Sequence, residues 1–144
     1  MVRPANKSAM KFTKEQINRY SRQIILKKIG TNGQKKILES SVLIVGAGGL
    51  GSPIAIYLAA MGVGKIGIVD KDKVSLSNLH RQIIFSTSDV KKNKSLTAGK
   101  KLKKINPGIH FESFQKKIIT KNINQIAKKY NVIVDGSDNF STRF

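Results

Sequence analysis

The chain has 144 residues, 40% of them hydrophobic, enough to bury one core and too many for a chain disordered throughout. It contains no cysteine, which excludes disulfides, a thiolate nucleophile and cysteine-ligated zinc within these residues. Twenty-seven Lys and Arg against eight Asp and Glu give a net charge of +19, a field that attracts polyanions: nucleotides, nucleic acid, an acidic membrane or an acidic protein.

Residues 1–12 are expected to form a flexible basic N-terminus. They carry Arg3, Lys7 and Lys11 without the apolar stretch of a secretory signal, so the cytoplasm is the expected compartment, with an organelle-targeting segment as the alternative. No apolar run comes near the ~18 residues of a membrane span, and no membrane partner is expected.

Residues 13–28 read as a helix, with Ile17, Tyr20 and Ile24 at three- and four-residue spacing. Gly30 is expected to end it, and a second short helix to follow over 33–38. Residues 41–45 are apolar, β-branched and too few for a helix, as suits a strand buried on both faces of a parallel sheet. Residues 46–51 form a glycine turn, and a helix runs to Met61 with Gly62 as its left-handed stop. Residues 65–69 read as the next strand, completing a βαβ unit. Residues 74–88 show no period and are expected to form an ordered loop with short turns. Over 94–105 a helix places Leu96, Gly99, Leu102 and Ile105 on one face, leaving the lysines outside; Asn106, Pro107 and Gly108 stop it. A strand over 109–114, a helix over 122–130 and another buried strand over 132–134 complete the pattern. The fold expected is α/β: a Rossmann-like, mostly parallel sheet with helices on both faces, preceded by an N-terminal helical segment. The sequence ends at Phe144, just as a helix is expected to begin after Asp138, so residues 13–144 read as the first part of a longer domain.

The motif Gly46-Ala47-Gly48-Gly49-Leu50-Gly51 fits G-x-G-x-x-G between a strand and a helix. Glycines Gly46, Gly48, Gly49 and Gly51 let the backbone approach phosphate oxygens, and the helix N-terminus offers free N–H groups and a positive dipole end. Asp70 closes the second strand, where a carboxylate can accept ribose hydroxyls. These features indicate an adenine nucleotide and leave NAD and ATP both open.

Four further segments bear on that choice: Arg19-Tyr20-Ser21-Arg22-Gln23 on the first helix, the loop 74–82 with Asn78, His80, Arg81 and Gln82, Lys94 at a helix start, and Asp135-Gly136-Ser137-Asp138-Asn139 after the last strand. Together with the glycine turn and Asp70-Lys71-Asp72, they resemble the ThiF/HesA/MoeB family of adenylyltransferases in order and approximate spacing, from about residue 13 to 144. The resemblance implies ATP-dependent adenylation of the C-terminal carboxylate of a ubiquitin-like sulfur-carrier protein, of the molybdopterin or thiamine biosynthesis type, releasing pyrophosphate. It implies that Asp70 holds the ribose, that Asn78, Arg81 and Lys94 contact the phosphates, and that Asp138 holds Mg²⁺. It further implies that Arg22 reaches across a homodimer to the partner's nucleotide. Asp72 matches the family pattern but reads equally as a loop carboxylate, Gln82 as a residue orienting its loop, and Asp135 as a turn residue. The family's groove for the ubiquitin-like tail, its sulfur-bearing cysteine and its Cys-x-x-Cys zinc ligands lie in a C-terminal half, so zinc is expected only from residues this chain does not contain, and these residues alone are expected to turn over poorly.

The chemistry gives an independent reason to want such charges. A carboxylate attacking the α-phosphorus of ATP brings two anions together, so cations and a metal ion must screen them; hydride transfer makes no such demand. Two other readings stand beside this one: an NAD(P)-binding oxidoreductase, for which the glycine turn and Asp70 suffice, and a nucleic-acid binder using the lysines of 91–104 and 116–129, including a tRNA-acting member of the same family. Few aromatics interleave with those lysines, which argues against base stacking. The histidines, His80 in the loop and His110 in a strand, lack companions for a zinc site.

Overall fold

The computed structural model describes residues 11–138; the helix expected from Asn139 and most of the basic N-terminus lie outside the described residues. Four strands, β1 (Ser41–Val45), β2 (Lys65–Val69), β3 (His110–Phe114) and β4 (Val132–Asp135), form one sheet in the order β3-β2-β1-β4, and every pairing is parallel. The helices are α1 (Lys14–Ile24), α2 (Gly30–Glu39), α3 (Gly51–Met61), α4 (Lys94–Ile105) and α5 (Thr120–Ala127).

The sheet buries both faces. Val42, Ile44, Ile66 and Ile68 pack on one side with Ala55 and Ala59 of α3 and Ala98 and Leu102 of α4. Leu43 and Val69 pack on the other with Ile126 of α5 and Tyr130. Strand residues of alternating direction thus meet apolar cover on either side, and that is why β1 and β2 are apolar and buried after their first residues, Ser41 and Lys65. Gly62 ends α3 with φ 93°, as its spacing predicts. The loop 74–88 is ordered, with short 3₁₀ turns at Leu76–Asn78 and Thr87–Asp89.

Four expectations need correction. Helix α1 stops at Ile24, short of the expected residue 28, because residues 25–29 turn the chain into α2, and Ile25 and Leu26 stay exposed. Gly30 opens α2 with φ 59° instead of following α1, so α2 starts earlier than expected. Helix α4 is rotated from its apolar stripe: Leu96 is 43% and Ile105 36% exposed, while Lys94, Ser95, Thr97, Ala98, Gly99 and Leu102 are buried. Close approach decides this, since a Cβ on Gly99 would stand 2.1 Å from the Phe111 ring of β3, and only small residues fit there. Strand β4 is buried only in part: Val132 is 50% and Ile133 49% exposed, and Val134 alone packs against the core.

Helix α1 is fastened to the far ends of the two helices that lead to the site. Arg19 Nη1 donates to the carbonyl of Ile105 (3.1 Å), and Gln23 Nε2 to that of Met61 (3.0 Å). Asn106 Nδ2 donates both to the Tyr20 hydroxyl (2.8 Å) and to the carbonyl of Ala59 (2.9 Å). Side chains of α1 thereby satisfy carbonyls that the ends of α3 and α4 would otherwise leave open.

Candidate functional site

The order β3-β2-β1-β4 reverses direction between β1 and β4, and open α/β sheets bind ligands at the carboxyl ends of strands beside such a point. A cleft of about 520 Å³ lies there, in the ~300–1,000 Å³ range of sites that hold a cofactor-sized molecule. All four strand ends contribute to its wall: the glycine turn after β1, residues 70–72 after β2, 116–118 after β3 and 136–138 after β4.

The floor is built by close packing of backbone. A Cβ on Gly51 would stand 1.8 Å from the carbonyl oxygen of Gly46, so the turn closes only over glycine. Gly46, Gly48 and Gly49 line the cleft, whereas Gly51 lies beneath as the first residue of α3. Asp70 is oriented by the turn it serves: Oδ2 accepts the N–H of Ala47 (2.8 Å), and Oδ1 accepts that of Asp72 (2.8 Å). Each oxygen retains a lone pair for a ligand hydroxyl.

The cations come from two further elements. The carbonyl of Asn78 accepts the amides of Arg81 (3.2 Å) and Gln82 (3.0 Å), a tight turn that lays both side chains over the glycines. Asn78 itself is not among the lining residues; its carbonyl shapes the turn. Gln82 is 4% exposed and its Oε1 has no hydrogen-bond partner, leaving one buried acceptor unused in the cleft wall. Lys94 opens α4 behind the cap Asn93, whose side chain accepts the Leu96 amide (3.0 Å), and the Lys94 N–H donates to the carbonyl of Asp72 (2.9 Å). It is only 6% exposed, and no carboxylate among the described residues lies within ion-pair distance.

Asp138 lines the cleft from the β4 side, beside Gly136, whose N–H continues the sheet to the carbonyl of Val45 (2.9 Å). Asp135 takes its expected turn role, accepting from the amide (2.9 Å) and hydroxyl (2.6 Å) of Ser137. The structure therefore brings Asp70, Asp72, Arg81, Gln82, Lys94 and Asp138 to one cavity. Arg22 is not brought there; it is exposed on α1.

Sequence reasoning passed over Lys71, Lys116, Lys117 and Ile118, which also line the cleft. Lys116, Lys117 and Ile118 follow β3, so the strand-end rule applied to β3 as it was to β1, β2 and β4 would have found them. Asn122 fixes that segment, accepting the amide of Ile119 (3.0 Å) and donating to the carbonyl of Lys117 (2.9 Å). The lining holds five cations, Lys71, Arg81, Lys94, Lys116 and Lys117, against the carboxylates Asp70, Asp72 and Asp138, a balance suited to a polyanionic ligand. Among the described residues no three His, Cys, Asp or Glu come together as a metal cluster. Asp138, on the β4 side of the cleft, fits Mg²⁺, which is commonly held by one or two carboxylates with phosphate oxygens and waters. No helix among the described residues is long and apolar enough to cross a membrane.

Comparison with known proteins agrees with this fold. A sulfur carrier protein adenylyltransferase of Thermus thermophilus is 45% identical over 94% of this chain and 50% of its own length. A probable molybdopterin-synthase adenylyltransferase of Porphyra purpurea is 45% identical over 92% of this chain and 35% of its own length. The chain thus spans half or less of these relatives. Among solved structures, TcdA (CsdL) superposes with TM-score 0.82 at 25% identity, covering 88% of this chain and 50% of that one. E. coli MccB with AMPCPP and MccA superposes with TM-score 0.68 at 33% identity, covering 75% and 34%. A TcdA complex with ATP, at 24% identity and TM-score 0.84, shares the fold. The model of the ThiF family matches residues 20–144, and the chain belongs to that family.

Proposed function

We propose that this protein, in its intact form, adenylates the C-terminal carboxylate of a ubiquitin-like sulfur-carrier protein in the cytoplasm, with residues 13–144 supplying the nucleotide part of the site. The observation that carries the reading is the convergence of Arg81, Lys94 and Asp138 on the cleft over the glycine turn. The relatives named adenylyltransferases support it.

In this reading ATP lies across the strand ends. Asp70 accepts the ribose hydroxyls, and the turn of Gly46, Gly48 and Gly49, closed by Gly51, admits the phosphate chain to the N-terminus of α3. Arg81 and Lys94 neutralise the phosphates, with Asn78 and Gln82 shaping and completing that wall and Asp72 tying it to α4. A carrier carboxylate oxygen forms a bond to the α-phosphorus as the bond from that phosphorus to the bridging oxygen of pyrophosphate breaks. The products are an acyl adenylate and pyrophosphate. Negative charge moves onto the leaving group, where fixed cations lower the barrier because they need not reorganise. Asp138 would hold Mg²⁺, which when bound screens the phosphates. Arg22 would serve the cleft of a partner protomer. The exposed apolar pair Ile25 and Leu26, just beyond α1, supports a protomer interface beside it.

ATP–pyrophosphate exchange on the intact protein, with sulfur-carrier proteins as acceptors, tests the proposal. Exchange that depends on a carrier and is lost in Asp138→Ala is expected. ATP-independent RNA binding without exchange would favour the tRNA reading instead, and NAD binding untouched by Arg81→Ala would favour an oxidoreductase.

A further inference from the structure

Arg81 is an exposed cation in the cleft wall, and a long side chain left free loses rotamer entropy when it meets a ligand. Two contacts hold it before any ligand arrives. Its methylenes lie on Gly49, where an added Cβ would stand 3.3 Å from both Cγ and Cδ. Its guanidinium Nη1 lies 3.3 Å from Nε2 of His80.

The second contact fixes the state of the histidine. Nδ1 of His80 lies 3.1 Å from the carbonyl oxygen of Ser77, and a carbonyl only accepts, so Nδ1 carries the proton. A guanidinium only donates, so Nε2 must present its lone pair to it. One tautomer of the neutral ring satisfies both neighbours. The other tautomer turns a lone pair to the Ser77 carbonyl and an N–H to Arg81, and the imidazolium, though it keeps the bond to Ser77, also sets an N–H against the guanidinium. The ring is held at the correct height by the 3₁₀ turn Leu76–Asn78, which supplies the Ser77 carbonyl.

We propose that His80, as the neutral Nδ1–H tautomer, is a positioning residue that holds Arg81 over the glycine turn in readiness for the phosphate chain of the nucleotide. This rests on Arg81 being a phosphate contact, as in the reading above. Preorganising a guanidinium strengthens ligand binding by removing an ordering cost, without a contact of its own to the ligand.

The test is ATP affinity, measured by calorimetry on the intact protein, for His80→Phe, His80→Gln, Arg81→Ala and the double variant His80→Phe with Arg81→Ala. His80→Phe keeps a ring but removes the acceptor, and is expected to weaken ATP roughly threefold to tenfold, the scale of one hydrogen bond. His80→Gln offers an amide oxygen to the guanidinium and is expected to stay within about twofold of the parent protein. In the double variant the His80 change is expected to add nothing to the loss from Arg81→Ala, because a positioning effect vanishes with the group positioned. An undiminished affinity in His80→Phe, or the same loss from His80→Phe with and without Arg81, would overturn the proposal while leaving the nucleotide site standing. Unchanged ATP affinity in Arg81→Ala would instead remove the phosphate role of Arg81, and this inference with it.

Discussion

Lys94 shows how a packed stem can present a charge to a cleft. The residue as a whole is 6% exposed, it lines the cleft, and no carboxylate of the described residues pairs with it. The methylenes pack while the ammonium keeps contact with the open cleft, where an anion can meet it. Lys94→Met should therefore leave the unfolding free energy of the ligand-free protein within about 0.5 kcal/mol of the parent and weaken ATP binding by about 2 kcal/mol. Urea denaturation with and without ATP measures both, and a larger change of stability in the absence of ligand would contradict the argument. Such a residue is poorly marked in the sequence. Lys91, Lys92 and Lys100 surround it, and only its place at the start of α4, beside a family motif, distinguishes it. Gly46 to Gly51 and Asp70 were legible without that help, because strand, turn and helix each leave a local pattern. Lys116 and Lys117 required the strand-end rule to be extended to β3, whose mixed residues mark a strand less clearly than the apolar residues of β1 and β2.

At the scale of elements, α4 is tied to the loop before it by a strap of Ser86 and Asp89, held through Lys101. Burial works against the Asp89 charge, but hydrogen bonds from Lys101 Nζ (2.8 Å to Oδ2) and from the Ser86 hydroxyl (2.8 Å) and amide (2.9 Å) outweigh it and hold the carboxyl well below the usual carboxylate range. A carboxyl depressed in the folded state stabilises fully above its unfolded pKa, ~3.9, and the contribution is lost as pH falls further toward the folded value. Asp89→Asn should therefore lower the melting temperature at pH 7 and flatten its fall below about pH 4, as thermal unfolding across pH 2–7 would show. The elements expected within residues 11–138 were found, but two faces were misjudged. An apolar stripe did not reveal that α4 turns its small residues toward β3, since Phe111 claims the space that a larger side chain would need. A run of Val132, Ile133 and Val134 reads as buried in any sequence; its exposure reflects what packs beside it.

For the whole molecule, surplus positive charge and a local apolar surface act on different steps. The +19 charge draws anions to the cleft from a distance, so ATP affinity should fall as ionic strength rises through the range where the Debye length shrinks from about 10 Å to 3 Å. The proposed homodimer would rest instead on Ile25 and Leu26, which are 69% and 51% exposed beside the helix that carries Arg22. Ile25→Glu should convert a homodimer to monomers in light scattering and reduce pyrophosphate exchange, while ATP binding falls less than in Lys94→Met. A protein that is monomeric before the substitution would exclude the shared-site arrangement.

The seam between β1 and β4 also sets a schedule for biosynthesis. Ser41 and Asn131 join across it, the Ser41 amide donating to Asn131 Oδ1 at 2.9 Å, although the ribosome must deliver the intervening chain first. At roughly 5–20 residues per second, the nascent polypeptide carries β1 and β2 for several seconds with the glycine turn lacking its Gly136 wall. In the proposed reading nucleotide capture therefore waits for β4, and a premature stop before Val132 would yield a product whose phosphate turn lacks the wall of Gly136, Ser137 and Asp138.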